Sequence, residues 1–319
     1  MPLTTDSQTN ALAHDFIKTL QGMSGSHPGQ RPAHAKGLLV TGTFTPSSAA
    51  STLSTAPHFA ASSTPVSARF SNFTGLPDIP DNDGNANPRG LALRFHIGGN
   101  ETRKHTDIVA HSANGFPAKD GPEFLAFLQS LTKNPDAEDG VKAFLGSHPA
   151  ALAFVQLPKP VMSSFARQAF YAVSAQKFTD SKGTEKTFRY RIVPAAGEDP
   201  LTEDEVAKKD KNFLMDEMQE RLEKGEATVF KLIAQMAQEG DVEDNATIVW
   251  PESRELVELG EIKLTKVAEN NADEQKHIIF DPVPRVAGIK ESKDPLFNVR
   301  ADAYLISGKE RRSAVIQKD

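Results

Sequence analysis

Val66-Ser-Ala-Arg-Phe70, Gly90-Leu-Ala-Leu-Arg-Phe-His-Ile97 and His105-Thr-Asp-Ile-Val-Ala-His111 follow one another as three short strands, rich in β-branched and aromatic residues. Between the first two lies Pro77-Asp-Ile-Pro-Asp-Asn-Asp-Gly-Asn-Ala-Asn-Pro88, a turn-rich loop. A loop of that length inside a compact domain is more often functional than idle. Working outward, Ala169 to Val173, Lys186 to Val193, Ala227 to Met236 and Leu259 to Val267 also read as strands. In the third of these Phe230, Leu232, Ala234 and Met236 alternate, which favours strand over helix. Strands dominate the centre, with helices in insertions and at the end. The expected class is α+β, with an antiparallel sheet closed into a barrel.

Ala11 to Met23 has helical apolar spacing and ends at Gly25. Residues 45–64 are rich in Ser, Thr, Ala and Pro and read either as a capped helix or as an irregular segment. Pro122 to Leu128, Ala137 to Phe144 and Pro149 to Val155 form a helical stretch. Thr202-Glu-Asp-Glu205 is a capping box that predicts a helix to about Lys224. A last helix starts at Asp294-Pro295, and Gly308 either ends or interrupts it. If it runs on to Arg312, then Arg300, Tyr304 and Arg311 share one face. A tyrosine ionises near pKa ~10. A guanidinium one turn away favours the phenolate, and a ferric iron favours it more, so this face can hold haem iron. On spacing alone, a half-buried tyrosine between solvent-facing arginines is the commoner arrangement.

The chain has 319 residues, 38% of them hydrophobic, enough for a sizeable core, and is read as a single domain over 1–319. A net charge of −6 gives no global case for nucleic acid or an anionic membrane, so any bound anion must meet a local arginine cluster. The lack of cysteine excludes disulfides, thiolate zinc sites, iron–sulfur clusters and thiolate-ligated haem. The polar start from Met1 to Asn10 has no secretory pattern, and no run of 18 apolar residues occurs. A cytoplasmic protein without a membrane span is expected.

Four motifs then fall in one order. Arg31-Pro-Ala-His-Ala-Lys-Gly37 resembles the segment that carries the distal histidine of catalases. Thr64-Pro-Val-Ser-Ala-Arg-Phe-Ser71 resembles the catalase strand Thr-Pro-Val-x-x-Arg-Phe-Ser, and Asn87-Pro-Arg-Gly-Leu-Ala-Leu-Arg-Phe95 resembles the strand after it. Arg300-x-x-x-Tyr304 is similar to the proximal haem-ligand motif. Each is weak alone; together they identify the chain as a member of the catalase superfamily. The resemblance implies an antiparallel eight-stranded β-barrel with flanking helices that binds haem b, its ferric iron held by the tyrosinate of Tyr304. Only 15 residues follow Tyr304, so neither the C-terminal helical domain of larger catalases nor NADPH is expected. This points to the small catalase-related peroxidase branch.

By the same resemblance His34 is the distal acid–base group and Ser71 fixes its tautomer. Arg31, Arg69 and Arg311 hold the haem propionates, Arg300 tempers the phenolate, and Phe116 and Phe124 wall the haem. One departure stands out: the distal asparagine of catalases falls on His111, and the nearest asparagine is Asn114, so either assists His34. The implied activity is reduction of hydrogen peroxide or organic hydroperoxides by a small organic donor, with weak catalase activity; a homo-oligomer is allowed. Two alternatives stay open: a fatty-acid hydroperoxide isomerase, and a haem carrier or sensor that does not turn over.

Overall fold

The computed structural model describes residues 3–98, 104–132 and 137–314. Among the described residues the strands are β1 (Gly37–Pro46), β2 (Thr64–Ser71), β3 (Gly90–His96), β4 (His105–His111), β5 (Phe170–Tyr171), β6 (Gln176–Thr179), β7 (Glu185–Pro194), β8 (Thr228–Met236), β9 (Leu256–Val267) and β10 (Ile289–Glu291). The strands pair antiparallel in the order β7, β5, β4, β3, β2, β1, β9, β8, and β8 pairs back onto β7. Eight strands thus close into a barrel, as the sequence predicts. β6 and β10 extend the sheet from the first half of β7.

Alternation sorts the strand side chains. Leu38, Val40, Phe44, Ala68, Phe70, Leu91, Leu93, Phe95, Ile108 and Ala110 enter the principal core. The opposite face of β1–β4 carries Leu39, Arg69, Ser71, Ala92, Val109 and His111. That outer wall lies under the helices that matter most here: α1 (Ser7–Ser24), then, after the short α2 (Ser48–Leu53) and α3 (Pro57–Ala60), α4 (Gly121–Ser130). α5 (Ala137–Ser147) and α6 (Pro149–Gln156) follow, then α7 (Glu203–Ala207), α8 (Phe213–Glu223), α9 (Asn271–His277) and α10 (Leu296–Ser313). Phe16 and Ile17 of α1 pack on Val299 and Ile306 of α10. Burying each such side chain contributes about 1.5–3 kcal/mol.

Several local readings need correction. Residues 45–64 are neither one helix nor irregular throughout: they hold the end of β1, then α2 capped by Ser47, then α3. The capping box at Thr202 is present, but its helix stops at Ala207 and a second starts at Phe213. Tertiary docking takes the intervening backbone: the Lys211 carbonyl accepts from the Asp81 amide at 2.7 Å and from Lys36 Nζ at 3.0 Å. Of Ala169 to Val173 only Phe170 and Tyr171 pair as strand. β1, between β2 and β9, is an element to which the sequence reading assigns nothing.

Candidate active site

Strand register assembles the first half of the site. Gly37, Ser71, Gly90 and His111 form one row across β1–β4, all at strand ends on one side of the barrel. His34, just before β1, has φ 57, a left-handed backbone that costs a non-glycine residue about 1–3 kcal/mol. It is held there because its amide donates to the Phe73 carbonyl at 2.8 Å and the next amide, of Ala35, to Thr74 at 3.0 Å. The ring is then placed so that Nδ1 meets Ser71 Oγ at 3.0 Å. The imidazole lies over Gly90: a Cβ there would come within 2.5 Å of Ser71 Oγ and 2.7 Å of His34 Nδ1. Gly37 is likewise covered by the Arg69 guanidinium. Both glycines belong to the site; for Gly90 the signal in the sequence is a glycine opening an otherwise well-formed strand. Burial, then repulsion by Arg69, pushes the His34 pKa down to about 3, which keeps the ring neutral.

The second half comes from α10, which continues through Gly308 to Ser313. Gly308 permits close approach: its Cβ would strike Ile279 Cδ1. Continuation puts Arg300, Tyr304 and Arg311 on the wall of the same cavity, of about 260 Å³, that His34, Ser71 and His111 line. Arg300 Nη2 donates to Tyr304 Oη at 3.4 Å, and its guanidinium carbon lies 5.8 Å from the centre of the Tyr304 ring.

Arg31, Arg69 and Arg311 also line this cavity. Arg31 and Arg311 both donate to the Ile278 carbonyl, at 3.1 and 2.9 Å; Arg69 donates to Gln275 Oε1 at 2.7 Å and to the Ala35 carbonyl at 3.0 Å. Among the described residues none of the three pairs with a carboxylate. Burial pushes Arg69 down to about 9 and Arg311 to about 10. Arg31 is held well below the ordinary range by burial and by repulsion from Arg69 and Arg311. A guanidinium keeps its proton in such a place, so the repulsion is a stress that a bound anion would relieve.

Phe116 and Phe124, ring centres 4.9 Å apart, are on the cavity wall, together with Phe16, Phe127 and Phe154. Asn114 is separated from this cluster. Its amide donates to Glu252 Oε1 at 3.3 Å on the exposed side. His111 remains inside, with a buried Nε2 that meets no hydrogen-bond partner.

The catalase family model matches residues 3–318. The chain belongs to the catalase family. It is 30% identical to a catalase-related peroxidase of Synechococcus elongatus over 308 residues, 95% of this chain and 89% of that protein. It is also 30% identical to a catalase-related peroxidase of Mycolicibacterium paratuberculosis, covering 92% of this chain and 93% of that one. In fold it is similar to catalase A of Saccharomyces cerevisiae, with a TM-score of 0.80 at 21% identity over 97% of this chain. A bacterial catalase gives 0.79 at 22% identity. The chain spans 65% and 62% of those two larger catalase chains.

Catalase-family membership implies haem, and the residues present fit it. The cavity combines apolar walls, three carboxylate-free guanidiniums for two propionates, one tyrosine hydroxyl, and a buried imidazole nitrogen without a partner. The turn-rich loop before β3 supports this catalase-like site from behind. Asp81 accepts from Lys36 Nζ at 2.8 Å, Asn72 Nδ2 at 2.7 Å and the Leu214 amide at 2.9 Å. Arg89 reaches Asn72 and the Asp81 carbonyl. Lys36, Asn72 and Arg89 stand within two residues of His34, Ser71 and Gly90, so the network fixes the three strand ends that carry the site. Among the described residues no helix is long and apolar enough to cross a membrane.

Proposed function

We propose that this chain is a haem-dependent peroxidase that reduces hydrogen peroxide, or an organic hydroperoxide, at the expense of a small organic donor. The observation that carries the reading is that the His34–Ser71 pair and the Arg300–Tyr304 pair face one cavity whose wall also carries the carboxylate-free arginine cluster. When bound, haem would supply a redox-active iron and porphyrin able to give the two electrons that cleavage of a peroxide O–O bond requires and to recover them from the organic donor. Tyr304 would hold that iron through its phenolate, and the Arg300 N–H, donating to the phenolic oxygen, moderates its basicity. Arg31, Arg69 and Arg311 would hold the propionates through charge-assisted hydrogen bonds.

His34 does the proton work. Its neutral ring has Nδ1 engaged with Ser71, which leaves Nε2 to take a proton from a peroxide oxygen and return it to the departing oxygen. With Nε2 free to take the proton, the N–H is on Nδ1 in both the neutral and the protonated ring, and the Ser71 hydroxyl oxygen accepts from it throughout. The aromatic walls keep water from the transfer and leave few competing acceptors.

The test compares oxygen evolution with donor oxidation in the purified, haem-loaded chain. Donor oxidation that outpaces oxygen evolution is expected. Rapid dismutation with no donor oxidation would overturn the peroxidase reading, and rearrangement of a lipid hydroperoxide without donor consumption would replace it by an isomerase.

A further inference from the structure

His111 ends β4 opposite Gly90, the bare position over which the His34 ring lies. Opposed residues on paired strands stand side by side, so two imidazoles share one wall of the cavity. Their surroundings differ. His34 Nδ1 faces a hydroxyl, which can donate or accept. His111 Nδ1 faces the Ala113 backbone N–H at 3.3 Å, which can only donate. The lone pair of the His111 ring is therefore on Nδ1, and its single proton is on Nε2. That Nε2 is buried and unpartnered. The ring is walled by Phe116 and Phe154, at 6.3 and 6.4 Å between centres, neither of which offers an acceptor.

This arrangement closes both routes of proton transfer through His111. Accepting a proton at Nδ1 means breaking the Ala113 hydrogen bond and charging a buried ring that Arg300 and Lys159 oppose. Giving up the Nε2 proton would leave an imidazolate. What remains is donation of a hydrogen bond from Nε2.

We propose that His111 is a fixed N–H donor to an oxygen or halide ligand in the cavity, set by Ala113, while proton transfer stays with His34 alone. The proposal rests on the haem-peroxidase reading and adds a division of labour between two adjacent histidines.

Fluoride is the probe: a small anion that accepts hydrogen bonds and has no redox chemistry. Titrated into the haem-loaded full chain and followed by visible absorbance, it should bind His111→Leu at least about tenfold more weakly than the unaltered chain. His111→Asn, which retains an N–H donor but cannot act as a base, should restore the affinity. Equal binding by the unaltered chain and His111→Leu, or no restoration by His111→Asn, overturns the proposal. A second measurement reads the ring directly. 15N NMR of the full chain labelled in histidine, with the His111 signals assigned by their loss in His111→Asn, should show a protonated Nε2 and a bare Nδ1. A proton on Nδ1 overturns the proposal as well. The NMR result does not depend on iron: a chain that takes up no haem removes the parent reading while the tautomer is still decided.

Discussion

Gly90 and His34 compete for one volume: a Cβ on Gly90 would stand 2.7 Å from His34 Nδ1 and 2.9 Å from Cε1. The glycine is bare because the imidazole fills the space a side chain would take. Gly90→Ala should push the ring off its seat and break the Ser71 contact, while the cavity and Tyr304 stay as they are. Misplacement of a reacting group by an ångström costs about 10²-fold in rate, and overpacking costs about 1–3 kcal/mol in stability. We expect kcat/KM for peroxide to drop by about that factor with haem content retained. Turnover equal to that of the unaltered chain would show that the His34 ring is not held by Gly90.

Tyr304 lines the cavity, and its hydroxyl oxygen receives a hydrogen bond from Arg300. If it is the iron ligand, the purified ferric chain has a tyrosinate-type visible spectrum. Tyr304→Phe removes one hydroxyl and keeps the ring, so the fold should survive by circular dichroism while that spectrum disappears. An unchanged spectrum in the variant would move the ligand elsewhere.

The arginine cluster predicts how the cavity responds to charge. Arg31, Arg69 and Arg311 repel one another, and no carboxylate among the described residues answers them. A porphyrin with free propionates relieves this repulsion; its dimethyl ester does not. A hydrogen bond to a charged group is worth about 1.5–3 kcal/mol, so the ester should bind more than about tenfold more weakly. Binding of the free acid should also raise Tm, and the ester should raise it less at equal concentration. Equal affinity for acid and ester would mean that the arginines face something else.

The barrel was legible because its strands alternate cleanly, as in Phe230, Leu232, Ala234 and Met236 of β8. β1 is harder to read although Leu38-Leu-Val-Thr-Gly-Thr-Phe44 is rich in β-formers, because Gly42 interrupts it and one of its two partners, β9, lies more than 200 residues away. The break between α7 and α8 was invisible for the same reason: the residues that claim the backbone there are Lys36 and Asp81. At the site, the Arg300–Tyr304–Arg311 face could be read from helical spacing once Gly308 was taken as internal. The separation of His111 from Asn114 could not, because it depends on which side chain finds Glu252 outside the cavity. The loop at residues 77–88 was expected to be functional; its main contribution is Asp81, which ties the site's strand ends together.

His58 offers a test of stability against pH that stays clear of the cavity. It is buried among Phe44, Phe59 and Phe95, and its Nδ1 has no hydrogen-bond partner. Burial pushes its pKa down to about 3, whereas an unfolded histidine titrates near 6.5. Between these two values the unfolded chain binds the extra proton, so stability falls as pH drops from about 6.5 towards 3. One such histidine contributes a slope of about 1.4 kcal/mol per pH unit. His34 and His111, both pushed to about 3, act in the same sense, and the carboxylates add a background that a single substitution leaves alone. His58→Leu fits the aromatic shell without a polar atom. It should lower the slope of unfolding free energy between pH 6 and 4.5 by about that one-proton amount, with little effect at pH 7.5, where the histidine is neutral in both states. Urea unfolding of the two proteins across this range measures it, and parallel curves would show that His58 is already protonated, or already solvated, in the folded chain.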